Sequence, residues 1–472
     1  MKFTLTFALQ ASQIIRQIGF ILTSVLLAKS GLPMSDIGVF ETLLFIGTTL
    51  SYFWINGLIQ SQLAFMPTVS EKEKQAVNFS IALIFIFLSI ILYLTLTLFP
   101  TLVLSALTTS PNLPYFDLFA LYLLFNLPPF FIEGYLIIEN RPLSILVFSS
   151  LSNLILPFVI VIPIWLKQPF VVSFYSLIII GLIRFIYLIV YLIVYLIQFV
   201  TKNKRIKINY LQLINYKQLK RFIELSLPIM AYSLLNGFTM SFIFWIVGYY
   251  LSGNTAAFAV FRFGAREFPL VMALTTGLSN AFVPILAEKL RFLNKNRGNT
   301  EGSSEESSEV AFRISDVGRR VIFSELKEKT KRLWHILFPS SIVLMLISKW
   351  LFPIVFNYQF KHSAAIFNIF LLLLISRALF PQTILLALKQ TKTLLIISII
   401  ETISIVLLSV LGIYWFNTEG VAWALVIGFL IEKTMIVIVL KRQFNIAFKD
   451  YTDVKWYLLY SIALIFSYFI VY

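Results

Sequence analysis

Seven basic residues lie inside long apolar runs, where their chemistry would count most: Arg16, Arg184, Arg262, Arg266, Lys349, Arg377 and Lys433. A charge at the centre of a bilayer costs at least about 2.5 to 3.5 kcal/mol, so a mid-depth arginine needs a ligand or a buried partner. Arg16, Arg184, Arg266 and Arg377 sit near mid-depth. The guanidinium fork matches the oxygens of phosphate and carboxylate two at a time, which makes anion recognition the natural chemistry. Arg262 and Arg266 are one helical turn apart, where like-charge repulsion disfavours a purely structural role and favours an anion clamp. The competing reading is ion pairing with Glu41, Glu133, Glu267 or Glu401, and for Arg184 and Arg377 both readings stay open. Lys349 and Lys433 lie close enough to the ends of their runs to snorkel, and are given no role.

Uncharged polar residues fall in register with these arginines. At 100° per residue, Thr6, Gln10, Gln13, Gln17 and Ser24 share one stripe of the first apolar run, with Arg16 at its border. The second run carries Glu41, Thr48, Tyr52 and Asn56 on one side, and the seventh carries Ser226, Ser233 and Asn236. The eighth aligns Arg262, Arg266, Pro269, Ala273, Thr276 and Asn280. Hydrocarbon cannot solvate such stripes, so they are expected to face protein or a water-filled cavity. Prolines interrupt several runs near mid-depth: Pro128-Pro129 beside Asn126, Pro157 and Pro163, Pro269, and Pro381 one turn after Arg377. Each frees backbone carbonyls and bends its helix.

The elements that must position these residues are transmembrane helices. Of the 472 residues 59% are hydrophobic and 13% charged, and the mean hydropathy is +0.88. A soluble protein carries roughly 25% charged residues, so a water-soluble fold is excluded. Apolar runs predict spans near 4–28, 36–62, 76–99, 115–138, 143–166, 170–199, 222–250, 255–288, 333–356, 363–388, 394–416 and 419–440, with a thirteenth at 456–472. Assigning alternate loops to opposite sides places 28 Lys and Arg residues on the side of Lys2 and three on the other. Basic residues of short loops stay cytoplasmic, which predicts a cytoplasmic N-terminus and accounts for most of the net charge of +16 without nucleic acid. Cysteine is absent and histidine occurs only at His335 and His362, which excludes disulfides, thiolate nucleophiles and multi-histidine metal sites. No phosphate-binding glycine loop or helical HExxH is present, and no outward loop is long enough to hold an active site. The chain is read as a non-enzyme without a cofactor.

Two loops are long. Segment 201–221, TKNKRIKINYLQLINYKQLKR, reads as a basic amphipathic connector lying on the membrane surface. Segment 289–332 includes NKNRGNTEGSSEESSE, too polar to bury a core and expected to be disordered, followed by Val321 to Trp334, expected to lie on the membrane. The connector separates similar halves. Ser30-Gly31 and Ser252-Gly253 open corresponding turns, followed by Phe40 and Phe261. WINGLIQSQLAFMP matches ALTTGLSNAFVP with Gly57 on Gly277, Asn56 on Thr276 and Gln60 on Asn280. The predicted fold is an all-α polytopic membrane protein: a lobe of six helices over 1–200, the connector, a second lobe of six over 222–440, and an extra helix within 441–472. Parallel repeats of this kind are related by a pseudo-two-fold along the membrane normal, with a site between them.

The stretches QIIRQIGFILTSVLLAKSGLPMSDIGVFETLLFIGTTL, FIELSLPIMAYSLLNGFTMSFIFWIVGYYLSGNTAAFAVFRF and GLSNAFVPILAE resemble the multidrug/oligosaccharidyl-lipid/polysaccharide (MOP) flippase superfamily, in particular its Wzx-type O-antigen and capsule branch. That resemblance implies alternating access and export of an undecaprenyl-pyrophosphate-linked oligosaccharide across the bacterial inner membrane, with membrane lipids and polysaccharide-assembly proteins as further partners. It also implies that Arg16, Arg262 and Arg266 hold the pyrophosphate in one cavity between the lobes. Gln13, Gln17, Glu41, Tyr52, Asn56, Asn236, Thr276 and Asn280 would supply further substrate contacts, and Arg184, Arg377, Glu133 and Glu267 would line the cavity or gate it. A thirteenth span departs from the usual twelve or fourteen. The alternatives are a drug/cation antiporter, which would favour an acidic aromatic cavity, a peptidoglycan-precursor flippase, and, from another class, an O-antigen polymerase or ligase, which normally needs a large periplasmic loop.

Overall fold

The computed structural model describes residues 5–202, 216–298, 316–388 and 390–471, and every regular element among them is helical. The expected amphipathic character of the connector and disorder of the serine-rich stretch fall largely on 203–215 and 299–315, outside the described residues. The chain forms two compact units, Met1–Ala259 and Val260–Tyr472.

The first unit contains α1 (Leu5–Ala28), α2 (Met34–Phe65), α3 (Glu71–Leu98), α4 (Pro100–Leu107), α5 (Phe116–Asn126), α6 (Phe130–Ile138), α7 (Pro142–Leu154), α8 (Leu156–Trp165), α9 (Val171–Lys202) and α10 (Tyr216–Tyr250). Proline sets several boundaries, because it cannot donate to the preceding turn. Pro128 and Pro129 separate α5 from α6, and Pro157 starts α8. Both Ser-Gly turns use the same backbone device, a glycine in the left-handed region: Gly31 at φ 84° and Gly253 at φ 80°. Two close approaches shape the packing. A β-carbon on Gly19 of α1 would lie 2.3 Å from the Asn153 carbonyl oxygen of α7, and one on Gly57 of α2 would lie 2.6 Å from Met230 of α10.

Helix α11 (Thr255–Gly264) crosses the boundary, and the second unit continues with α12 (Pro269–Gly298), α13 (Asp316–Val355), α14 (Ser363–Leu371), α15 (Leu374–Arg377), α16 (Pro381–Ala387), α17 (Thr391–Phe444), α18 (Phe448–Tyr451) and α19 (Val454–Val471). The 54 residues of α17 would extend about 80 Å if straight, far beyond a bilayer core. They fold back instead. Phe416 and Asn417 leave helical geometry, and Gly412 meets the backbone of Gly420.

Ten helices among the described residues are long and apolar enough to cross a membrane, or eleven when the bent pair Ser363–Arg377 and Pro381–Ala387 counts as one span. The thirteen predicted runs differ from this number at two further places. The hairpin α17 holds the runs 394–416 and 419–440, and the run 255–288 is divided into α11 and α12. Val321 to Trp334 does not form a separate surface helix but belongs to α13, with Ile322, Phe323, Leu326 and Trp334 buried. Ile322, Phe323 and Leu326 pack with Phe282, Leu286, Ile384 and Tyr451, and that apolar core outweighs what a headgroup layer could offer the same side chains.

Candidate functional site

In the first unit, helices α1, α5, α6, α7, α8 and α9 converge on a cavity of about 160 Å³ lined by Arg16, Tyr122, Asn126, Phe130, Glu133, Ser149, Ser152, Asn153 and Arg184 among others. Helix α1 contributes Arg16, the proline break after α5 frees the region around Asn126, α6 brings Glu133, and α9 brings Arg184. An Arg16 Nη2 donates to Glu133 Oε1 at 2.6 Å, with the two side chains 40% and 20% exposed, so this pair stays open to the cavity. Arg184 has a neutral acceptor instead. It donates through Nη1 to Asn126 Oδ1 and lies over the rings of Phe130 and Phe148 at 5.7 and 5.6 Å. The Nε atoms of both arginines are buried without a hydrogen-bond partner. Two guanidinium groups against one carboxylate leave the cavity one positive charge in excess, with two N–H donors unspent. Asn153 Nδ2 donates to the Ser149 carbonyl at 2.8 Å, one turn back on α7, which fixes its amide at the wall. The arrangement suits an anion with polar neighbours.

The second unit assembles a different set. Arg377 Nη2 donates to Glu267 Oε1 at 2.9 Å, and its guanidinium lies 4.2 Å from the Phe429 ring centroid. Lys433 pairs with Glu432 at 2.9 Å and donates to Gln382 Oε1 at 3.0 Å, and both side chains of that pair are under 10% exposed. The expectation that Lys433 snorkels is therefore wrong. Its helical leg runs from the break at Asn417 on to Phe444, which puts Lys433 well inside the leg, where a buried carboxylate is the available counter-ion.

The predicted residues are dispersed among several environments. Arg16, Arg184 and Glu133 share the cavity, whereas Arg377 and Glu267 pair in the second unit. Arg262 and Arg266 do not extend a continuous polar face, because the helix ends at Gly264 and restarts at Pro269. Arg266 folds back, with Nε donating to the Arg262 carbonyl at 3.4 Å and its guanidinium 4.8 Å from the Phe263 ring centroid. Glu41 is buried in the first unit at 1% exposure, away from the cavity walls. Gln13 is exposed and Gln17 half-buried, and neither lines the cavity. Asn56 Nδ2 donates to Ser233 Oγ at 3.4 Å and Tyr52 covers Gly237, so these two serve the seam between α2 and α10. Thr276 is exposed on α12, and the side chains of Asn236 and Asn280 lie outside the described ones. Sequence reasoning missed Tyr122, Ser149, Ser152 and Asn153 as cavity walls. The signal was there in SSLSN at 149–153, a polar cluster inside an apolar run.

No family model matches the chain, and no curated protein matches its sequence. Solved structures do. The lipid II flippase MurJ in an inward closed conformation aligns over 99% of this chain and 97% of its own, at 16% identity and a TM-score of 0.60. An inward-facing multidrug resistance MATE family transporter of the MOP superfamily aligns over 97% and 98%, at 13% identity and a TM-score of 0.57. A MOP superfamily transporter from Pyrococcus furiosus, described as having a binding pocket of reverse polarity, aligns over 98% and 95%, at 14% identity and a TM-score of 0.52. These neighbours are transporters, and the chain is a multi-pass, all-helical membrane protein with the fold of MOP superfamily transporters.

Proposed function

We propose that the protein is a flippase that moves an undecaprenyl-pyrophosphate-linked oligosaccharide, an O-antigen, capsule or exopolysaccharide repeat unit, across the bacterial cytoplasmic membrane by alternating access. The observation that carries this reading is the meeting of Arg16 and Arg184 in one positively charged cavity within a transporter fold. Their guanidinium groups line the cavity and are suited to diphosphate oxygens, and charge-assisted bonds of this kind offset the cost of stripping water from a phosphate. The amides and hydroxyls of Asn126, Asn153, Ser149 and Ser152 suit the first sugar. Arg262 and Arg266, at the break between α11 and α12, are proposed as a further anion contact in the second unit. A cation antiporter fits this cavity less well, because the excess charge has the wrong sign.

The test is surface-glycan export in cells that depend on this chain, with protein levels matched. Replacing Arg16 and Arg184 together by Ala is expected to abolish export while the protein still inserts. Wild-type export from that double variant would sink the reading. Export that fails while peptidoglycan precursor transport is restored by the wild-type chain would instead identify the peptidoglycan lipid as the cargo.

A further inference from the structure

The ion pairs of the second unit leave one buried charge over. Helix α17 turns back at Phe416 and Asn417, and its two legs touch where Gly412 meets Gly420 and where Gly428 meets the Ile405 side chain. One helical turn beyond the second contact, four residues before Ile405 and four after Gly428, stand Glu401 and Glu432. The register therefore sets two carboxylates opposite each other near the middle of the hairpin, buried to 8% and 6% exposure. Lys433 pairs with Glu432 and Arg377 with Glu267. Glu401 makes no ion pair or hydrogen bond among the described residues, and the charged groups facing it are Glu432, Lys433 and Arg377. Of the other helices packed on α17, α14 and α16 carry no titratable residue, α15 carries Arg377 alone, and α19 brings Tyr468 against Trp423, nearer the turn of the hairpin. Three carboxylates thus stand against two cations, with Glu401, Glu432 and Lys433 each under 10% exposed and the Arg377–Glu267 pair partly exposed.

Two facing carboxylates in a low dielectric do not both ionise, because each disfavours the charge of the other. We propose that Glu401 and Glu432 share one proton, so that the α17 hairpin is a buried proton-binding site. With the proton bound, the five charged groups sum to zero. With it released, an uncompensated negative charge remains between the legs, and the hairpin loosens. The site is independent of the cavity of the first unit and of what that cavity carries.

The experiment uses the full chain in detergent micelles. Infrared difference spectra between neutral and alkaline pH should show a protonated-carboxyl C=O band in the wild type that disappears as the pH is raised. Glu401→Gln and Glu432→Gln should each remove it, since either leaves a single carboxylate beside Lys433, free to ionise. Absence of the band from the wild type, or its survival in both variants, overturns the proposal. Loss in only one variant overturns the sharing and assigns the proton to that residue alone. A second measurement needs no variant: dicyclohexylcarbodiimide, which labels protonated buried carboxyls, should modify Glu401 or Glu432 of the wild type, with labelling falling about tenfold per pH unit above the midpoint. Labelling of neither residue, or labelling indifferent to pH, overturns the site as well.

Discussion

The two units each gather a group of charges among their apolar helices, and the groups are opposite in net sign and differ in access. In the first unit Arg16, Arg184 and Glu133 leave one positive charge facing a cavity; in both units an arginine Nε is buried without a partner, Arg16 and Arg184 in the first and Arg377 in the second. In the second, Glu267, Arg377, Glu401, Glu432 and Lys433 carry one formal negative charge in excess, with Glu432 and Lys433 under 10% exposed and Arg377 and Glu267 at 27% and 14%. An open, positive site is suited to an anion that comes and goes. A closed, negative site is suited to nothing larger than a proton. The same residue types therefore do different work according to whether proline breaks hold the helices apart, as around Asn126, or small residues pull them together, as at Gly412, Gly420 and Gly428.

The largest expected effect breaks the comparison at its open side. Arg184→Ala alone should reduce glycan export by on the order of 100-fold, roughly 2.7 kcal/mol of lost charge-assisted bonding. Arg184→Lys should recover part of it if charge is what matters and little if the fork is needed. Because Arg184 is held by a neutral asparagine and aromatic rings, its loss strands no carboxylate, and the amount of folded protein should stay near wild type. Export unchanged with Arg184→Ala would remove the functional distinction between the two sites.

The closed side should respond in the opposite way, through stability. Lys433→Met strands Glu432 beside Glu401 and should destabilise the protein by about 3–5 kcal/mol, the cost of breaking a buried pair on one side. Lys349→Met, on an exposed position of α13, should cost less than about 0.5 kcal/mol. Thermal unfolding in detergent separates the two, and equal losses would return Lys433 to the status of a snorkelling residue. A smaller effect is expected at the turn of the hairpin. Gly420→Ala places its β-carbon 1.9 Å from the Gly412 carbonyl oxygen, so the legs must part, at about 1–3 kcal/mol. The same unfolding measurement checks it, and no loss would show that the register of Glu401 and Glu432 does not depend on that contact.

Much of this was open to sequence reasoning, and the failures have a common cause. Composition and the basic loops identify the membrane class, because the hydrocarbon core permits few alternatives to helices. Glu133 and Glu267 stand among the pairing candidates, since acidic residues in apolar runs are few and must answer arginines. The convergence of helices α1 and α5 to α9 was not legible, as it depends on Gly19 letting Asn153 approach and on the exact bend at Pro128-Pro129. Lys433 was misjudged because its depth follows from a hairpin turn at Asn417 and a leg that outlasts its apolar run. The stripe through Arg262 and Arg266 assumed an unbroken helix, although Pro269 marks where it stops. Helical periodicity holds only between breaks, and in this chain the functional geometry is concentrated at the breaks.

The subtlest expected effect concerns Glu133, the one carboxylate of the open site. Its 2.6 Å bond to Arg16 occupies the guanidinium that an incoming anion would need, so Glu133 is both counter-ion and competitor. Glu133→Gln removes the competing charge while retaining a carbonyl that can accept from Arg16. Binding of pyrophosphate to the purified protein should then tighten, by up to about tenfold, or roughly 1.4 kcal/mol. Turnover need not follow: an anion that no longer meets a competitor leaves more slowly, and export at saturating cargo should fall somewhat even as affinity rises. The pair of outcomes sharpens the contrast between the units, because the corresponding change Glu267→Gln, at the side chain that answers Arg377, should leave pyrophosphate affinity unmoved and lower stability instead. Isothermal titration calorimetry on both variants reads the difference directly. Weaker pyrophosphate binding by Glu133→Gln would show that the carboxylate holds Arg16 in place for the anion rather than in its way.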